Sequence, residues 1–337
     1  MKKVAVILVL LFLAYACFAN DTLVQKNTGG NDYIIGEAKD IIIESEILQI
    51  DLFDDYYHVS VDYVFRNEGA EAVLEVGFPE IEYQSDDDYI KTRVIQNDVQ
   101  HKLFNFKTSV NGINQNIDFA DADIIIDTVS PKIYEKIMHF YKKTVTFPAK
   151  QKTNIHVEYD NFYLNTHESR AVEYLLGSAV CWGKIENLKV IATLNSEQIF
   201  FNSDLGIINN KPFDIHVETE NELRKLILSY KDLNLELDSK LYFLIADGIF
   251  GCVWDYYFDY KVYPRYMFEL LTKEQLRLSR NLIYAFHGYK FKDKKLEDRF
   301  KKLGFYKDNN KPFSESSFNE KERANLELIM SVEKEKL

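Results

Sequence analysis

The stretch 271-LTKEQLRLSRNLIYAFHGYKFKDKKLEDRFKKLGFYKDNNKP-312 decides the fold of the C-terminal part of the chain. Thr272 and the glutamine three positions later have the spacing of a capping box, which predicts that a helix begins there. Gly288 is typical of a helix C-terminus, and Asp293 predicts the start of a second helix that ends at Gly304. The stretch therefore predicts a small helical module with defined ends.

The first predicted helix has a wide apolar stripe that includes Leu276, Ile283 and Phe286. Arg280 and His287 fall inside this stripe, and a buried guanidinium needs a partner, so we expect Arg280 to meet a carboxylate or helix-end carbonyls. One interpretation makes both residues polar anchors of the module. The alternative combines them with Tyr284, at spacing i, i+4, i+7, into a small cluster that binds an anion or a glycan.

The same residues resemble the YARHG domain family, which is named for a Tyr-Ala-Arg-His-Gly run. Phe286 replaces the arginine of that run, which weakens any ligand role for this family position. The resemblance implies an extracytoplasmic module of no established activity and a third helix at 319–326. Packing of the three helices is expected to use Leu276, Ile283, Phe300, Leu303, Leu326 and Ile329. The residues that carry the resemblance are Leu276, Arg280, Asn281, Ile283, Tyr284, Ala285, His287, Gly288, Tyr289, Phe291, Leu296, Phe300 and Tyr306.

Charge divides the chain into two parts of opposite sign. Residues 1–264 carry 24 basic and 41 acidic side chains, whereas residues 265–337 carry 17 and 12. Most of the basic excess lies at 273–311, with aromatic residues interleaved, and such a surface can attract an anionic polymer or stack on sugars. The alternatives are a basic module that docks on its acidic neighbour, or lysines that are simply solvated. The candidate binding residues are Arg280, Tyr284, His287, Tyr289, Lys294, Lys295, Lys301 and Lys302.

The preceding part of the chain has the pattern of β-structure. Tyr57, Val59 and Val61 alternate with polar residues, which predicts a half-buried strand, and similar segments recur between residues 41 and 246. Asn111 and Gly112 form the preferred pair for a tight hairpin turn. About ten strands without amphipathic helices between them predict an antiparallel β-sandwich. The fold class is therefore mainly β with a small α domain.

Short motifs in this β region resemble an uncharacterised family of β-rich bacterial envelope proteins. They are Val61-x-Tyr63-x-Phe65-x-Asn67, Gly77-Phe78-Pro79, Phe147-Pro148-Ala149, Tyr174-x-Leu176 and Trp182-Gly183-x-Ile185. These motifs place aromatic residues on one strand face, where they pack together, and they place proline where a strand ends. The resemblance implies no catalytic residue.

The N-terminus has the pattern of a secretory signal peptide. Lys2 and Lys3 precede an apolar run at 4–14 that is too short to cross a bilayer, and small residues favour cleavage before Asn20. The alternative is a lipoprotein anchored to a membrane through Cys17. The predicted divisions are a signal peptide at 1–19, a lead-in at 20–39, a β-sandwich domain at 40–260 and a helical domain at 265–337. The location is extracytoplasmic, either periplasmic or secreted.

Cys181 and Cys252 remain after removal of the signal peptide, and they are either a disulfide or two thiols. No zinc motif, phosphate loop or nucleophile motif occurs in the sequence, and we expect no metal and no cofactor. The acidic runs at 86–88 and 121–123 lack the spacing of a calcium loop. Nucleic acid is not an expected partner of an acidic, exported protein.

Two classes of function follow from the sequence. The first is a non-catalytic envelope protein whose basic module contacts peptidoglycan, another cell-wall glycan or another anionic polymer. The second is an envelope hydrolase with its site in the loops of the sandwich. The lack of a recognisable nucleophile, metal motif or acid pair favours the first.

Overall fold

The computed structural model describes residues 22–26, 33–35, 38–85, 103–130, 133–165, 170–195, 198–200, 207–208, 211–212, 214–220, 223–247, 258–302, 306 and 313–336. The predicted signal peptide with Cys17, the acidic run at 86–88, Leu303 and Cys252 lie outside these residues. The chain divides into two compact units, one of residues 1–195 and 204–244 and one of residues 196–203 and 245–337. None of the helices in the described ranges is long and apolar enough to cross a membrane.

The described residues form nineteen strands. In chain order they are β1 Thr22–Lys26, β2 Tyr33–Ile35, β3 Ile41–Leu52, β4 Tyr56–Asn67, β5 Ala72–Ser85, β6 Phe104–Val110, β7 Ile113–Asn114, β8 Asp118–Ser130, β9 Ile133–Phe147, β10 Lys152–Phe162, β11 Leu164–Asn165, β12 Arg170–Leu175, β13 Lys184–Leu194, β14 Gln198–Phe200, β15 Ile207–Ile208, β16 Lys211–Pro212, β17 Asp214–Glu220, β18 Leu223–Asn234 and β19 Lys240–Asp247. A 3-10 turn, Gly177–Trp182, precedes β13.

Two sheets of the first unit pack face to face. One has the order β2-β1-β5-β9-β8, and the other has the order β17-β18-β13-β3-β4-β10-β6-β7. Aromatic rings on their inner faces contact one another. The ring centroids of Phe65 in β4 and Phe147 in β9 are 5.6 Å apart, and those of Phe78 in β5 and Tyr159 in β10 are 5.3 Å apart. This arrangement confirms the β-rich fold and its sandwich core. The expectation of an antiparallel sandwich is wrong for β3 and β13, which pair in parallel.

The alternating pattern of β4 arises because successive side chains point to opposite faces of a sheet. Tyr57, Val59, Val61, Tyr63 and Phe65 are all 1% exposed or less and form the centre of the sandwich core. The polar residues between them lie on the outer face of the eight-stranded sheet. The strand predicted from this stretch is confirmed.

The predicted hairpin turn joins β6 to β7. Asn111 and Gly112 both have positive φ, at 50° and 78°. Positive φ at both central residues is the requirement of the type I′ turn, which asparagine and glycine meet at the lowest cost. Val110 pairs with Ile113 across it.

A β-bulge in β3 brings a carboxylate into the core. The register with β4 shifts between Ile43 and Ser45, so the inward positions change from Ile43 to Glu46, which is fully buried. Tyr174 donates a hydrogen bond from its hydroxyl to Glu46 Oε1 at 3.2 Å, and the hydroxyl of Tyr63 lies 3.0 Å from that of Tyr174. Burial, followed by the neighbouring Tyr63 and Glu46, raises the pKa of Tyr174 well above its usual value.

The second unit contains four α-helices in its described part: α1 Arg265–Glu269, α2 Lys273–Phe286, α3 Lys294–Lys301 and α4 Glu320–Glu335. The capping box at Thr272 is present, Asp293 caps α3, and Gly288 has a φ of 74° just after α2. These local signals were predicted correctly. The short helix α1 was not predicted, and α4 extends beyond the predicted 319–326.

Packing of the helices follows most of the predicted positions. Leu276, Ile283, Phe300 and Ile329 are buried, and Leu326 is half-buried. Phe286 was placed in the apolar stripe of α2, but it is 39% exposed, because it lies in the last turn of the helix, beyond the buried residues.

Candidate functional site

Arg280 of α2 and His287, the residue that follows the last turn of α2, are each paired with a carboxylate of α4. Arg280 Nη1 lies 2.9 Å from Glu333 Oε2. His287 donates from Nε2 to Oε1 of the buried Glu322 at 2.7 Å, and its Nδ1 lies 3.1 Å from the hydroxyl of Ser317. Arg280 therefore meets the carboxylate that the sequence predicted. Both contacts join α2 to α4, as expected of polar anchors.

Tyr284 lies between these two residues on α2 and belongs to an aromatic cluster. Its hydroxyl donates to Glu315 Oε1 at 3.0 Å, and its ring centroid is 5.2 to 5.6 Å from those of Tyr289, Phe313 and Phe318. Burial and the hydrogen bond to Glu315 raise the pKa of Tyr284 above its usual value. The ring is half-buried and packed on several sides.

Tyr289 extends this cluster toward the segment after α3. Its ring centroid lies 5.0 Å from those of Phe291 and Phe313, and its backbone carbonyl accepts a hydrogen bond from the Tyr306 hydroxyl at 2.9 Å. Arg280, Tyr284, His287 and Tyr289 are thus occupied by contacts within the second unit. The geometry favours the interpretation of this cluster as structural anchors over an open anion site.

Three glutamates that sequence reasoning did not identify supply the partners of this cluster. Glu333, Glu315 and Glu322 bond to Arg280, Tyr284 and His287 respectively. A local signal existed for Glu322 alone, since it is the third residue of the capping box that begins at Asn319. The capping box indicates where Glu322 lies on α4, but it does not indicate that the carboxylate of Glu322 accepts a hydrogen bond from His287.

The four lysines predicted to bind a polymer fall into two pairs. Lys294 and Lys301 lie on either side of Glu297 on α3, with Nζ–carboxylate distances of 2.7 and 3.2 Å. The two lysines, Lys294 first, lower the pKa of Glu297 below its usual value. These two cations therefore neutralise a carboxylate of their own helix.

Lys295 and Lys302 form the other pair, which we name the open lysine pair. Both side chains are exposed, and within the described part of the chain neither makes a hydrogen bond or an ion pair. They are seven residues apart at the two ends of α3, which places them on the same side of that helix. Other basic residues nearby are paired, including Arg277 with Asp293 at 2.9 Å and Arg299 with Glu274 at 3.1 Å.

The acidic run at 121–123 and Cys181 are the other candidate site residues that the structure describes. Asp121 pairs with His139 at 3.1 Å and Asp123 with Lys136 at 3.0 Å, so both carboxylates are paired with side chains of the neighbouring strand β9. Across the described ranges, no three histidine, cysteine or acidic side chains are grouped in a way that could hold a metal ion. Cys181 is buried, and its pairing with Cys252 stays a prediction.

The comparison with family models gives one match in each part of the chain. Residues 256–334 match the family described as "YARHG domain", and this part of the chain is referred to by that name. Residues 19–125 match the family described as "Domain of unknown function (DUF4424)". Both matches confirm resemblances that the sequence motifs suggested. The YARHG domain is an extracytoplasmic module, so the match at 256–334 agrees with the extracytoplasmic location expected from the sequence.

Solved structures resemble the chain at low sequence identity. A crystal structure from Legionella pneumophila, titled a "putative nutrient binding protein", is 18% identical with a TM-score of 0.51, and the match covers 95% of this chain and 99% of that one. This likeness shows the fold alone. An M1 zinc metallopeptidase from Deinococcus radiodurans is 5% identical with a TM-score of 0.32, covering 66% of this chain and 46% of that one. No curated protein matches the chain.

Proposed function

We propose that the protein is a non-catalytic envelope protein whose YARHG domain contacts an anionic polymer of the cell envelope, such as peptidoglycan. The observation that carries the proposal is the open lysine pair, Lys295 and Lys302. Both cations extend into solvent from one side of α3, whereas the neighbouring Lys294 and Lys301 are bound to Glu297. An unpaired cation can take an external anion without first losing an internal partner.

The contact is expected to be weak and sensitive to salt. A pair between exposed charges contributes about 0 to 1 kcal/mol, so only a polymer with repeated anionic groups gains useful affinity from several such contacts. At an ionic strength of about 0.15 M the screening length is about 8 Å. Retention on wall material should therefore fall steeply as salt is added.

The test is a pull-down of the full mature chain on isolated peptidoglycan, in low salt and in physiological salt. Lys295→Gln with Lys302→Gln should strongly reduce retention and leave the melting temperature unchanged, because exposed lysines contribute little to stability. The matched control is Lys189→Gln with Lys231→Gln, which removes two exposed lysines from β13 and β18. It makes the same change in net charge away from the YARHG domain.

Retention of the Lys295 and Lys302 double variant at the wild-type level in low salt would contradict the proposal. Equal losses in the double variant and the control would show that net charge, and not this face of α3, governs retention. If the proposal holds, adding Lys294→Gln and Lys301→Gln to the double variant should lower retention only slightly more. These two further changes leave Glu297 without its cations and should lower the stability of α3.

A further inference from the structure

A cleft of about 710 Å³ opens in the first unit, where β3 turns into β4. Its volume lies within the range of about 300 to 1,000 Å³ that is typical of small-molecule sites. The wall opposite the turn comes from the ends of β13 and β18. The lining residues are Asp51, Leu52, Phe53, Asp54, Asp55, Tyr56, Thr193, Asn195 and Leu223.

Hydrogen bonds from outside the cleft hold this turn in place. Tyr163 donates from its hydroxyl to the carbonyl of Phe53 at 2.8 Å, and Arg170 donates to the carbonyl of Asp54. Arg224 donates in the same way to the backbone carbonyl of Asn195 on the opposite wall. All three bonds end on backbone oxygens, so they fix the walls and leave the side chains of the turn available.

The charges that line the cleft all have one sign. Asp51, Asp54 and Asp55 line it, and among the described residues no basic side chain does. None of the three carboxylates makes an ion pair or a side-chain hydrogen bond with the residues that the structure describes. The nearby Lys225 is bound to Glu220 at 3.2 Å. The described lining of the cleft therefore presents three carboxylates and no cation that would neutralise them.

An aromatic wall accompanies the carboxylates. The rings of Phe53 and Tyr56 stack with centroids 4.8 Å apart and planes at 20°, and Phe53 is 44% exposed. The faces of such rings attract cations, and their bodies pack against hydrocarbon. Carboxylates beside an aromatic pair with one exposed ring suit a ligand with a positive head and an apolar chain, which a purely polar or purely acidic surface would not favour.

We propose that this cleft binds a small organic cation of the primary alkylammonium class. The ammonium group lies among Asp51, Asp54 and Asp55, with its three N–H groups donating to carboxylate oxygens, and the alkyl chain lies along Phe53 and Tyr56. This site is distinct from the open lysine pair and opposite in charge. Its existence does not depend on whether the YARHG domain binds a polymer.

The test is isothermal titration of the full mature chain with pentylammonium and with its neutral counterpart 1-pentanol. Pentylammonium should bind to saturation at one site, and 1-pentanol should bind at least about tenfold more weakly, because a charge near carboxylates at protein surfaces gains energy that a hydroxyl does not. Equal binding of the two compounds, or no saturable binding of pentylammonium, would overturn the proposal whatever the variants do.

Variants then locate the site. Asp54→Asn with Asp55→Asn should weaken pentylammonium binding about tenfold, whereas the control Glu236→Gln with Asp238→Asn, two exposed acids of another turn, should leave it unchanged. Phe53→Ala keeps every charge and should weaken binding about threefold through the lost ring face. Equal losses of affinity in the aspartate variant and in the control would show that net charge, and not this cleft, governs binding. Tighter binding of glucose than of pentylammonium would assign the cleft to neutral sugars instead.

Discussion

The aromatic cluster around Tyr284 makes a quantitative prediction about the stability of the YARHG domain. Truncation of a fully buried aromatic residue to alanine costs about 3 to 5 kcal/mol. Tyr284 is half-buried, but its ring contacts Tyr289, Phe313 and Phe318, and each aromatic pair contributes about 0.5 to 1.5 kcal/mol beyond the buried area. We therefore expect Tyr284→Ala to lower the free energy of unfolding by about 3 kcal/mol.

Tyr284→Phe separates the ring from the hydroxyl. It keeps the ring contacts and removes the hydrogen bond to Glu315, so it should cost only about 1 kcal/mol. Hydrogen exchange of the backbone amides of α2 and α4, measured in the full chain, reports the local free energy of opening without a contribution from the sandwich. Unchanged protection in Tyr284→Ala would refute the packing argument. Equal losses in both variants would assign the effect to the hydroxyl.

Three further predictions concern the first unit. Gly177→Ala should prevent the 3-10 turn from packing, because an added Cβ would lie 1.9 Å from the carbonyl oxygen of Leu237; wild-type thermal stability would contradict this. Tyr174→Phe should lower the free energy of unfolding by about 1 to 3 kcal/mol through the hydrogen bond lost inside the core, measured by urea denaturation. Hydrogen bonds from Lys152 and Lys107 lower the pKa of Glu44 and Glu158, respectively, below the usual 4.5. The stability that these bonds contribute is therefore complete above pH 4.5 and is lost as the pH falls through the two lowered pKa values. A melting temperature that stays constant from pH 6 to pH 3 would contradict it.

Local signals account for the parts of the structure that were predicted. The alternation in β4, the turn at Asn111 and Gly112, and the caps at Thr272 and Asp293 each depend on residues within a few positions of one another. The chemistry that determines such features is contained in a short stretch of chain. For this reason they could be read from the sequence without knowledge of the rest of the fold.

Long-range partners account for the parts that were not predicted. The need of Arg280 for a carboxylate was foreseen, but its identity as Glu333 depends on how α2 packs on α4. The burial of Glu46 depends on a bulge that reverses the alternation of β3, and nothing in the local pattern marks the bulge. The cleft was missed for the same reason, because Asp54 and Thr193 meet only when β13 lies beside β3.

The parallel pairing of β3 with β13 also has a consequence for the order of folding. Its partners, such as Ile43 with Ile185 and Asp51 with Thr193, are about 140 residues apart in sequence. The β3–β4 hairpin can form as soon as its own residues are made, whereas the other edge of β3 keeps a row of unpaired backbone donors and acceptors until β13 arrives. Such high contact order slows folding, so this strand pair prolongs the time during which the edge of β3 is exposed to aggregation.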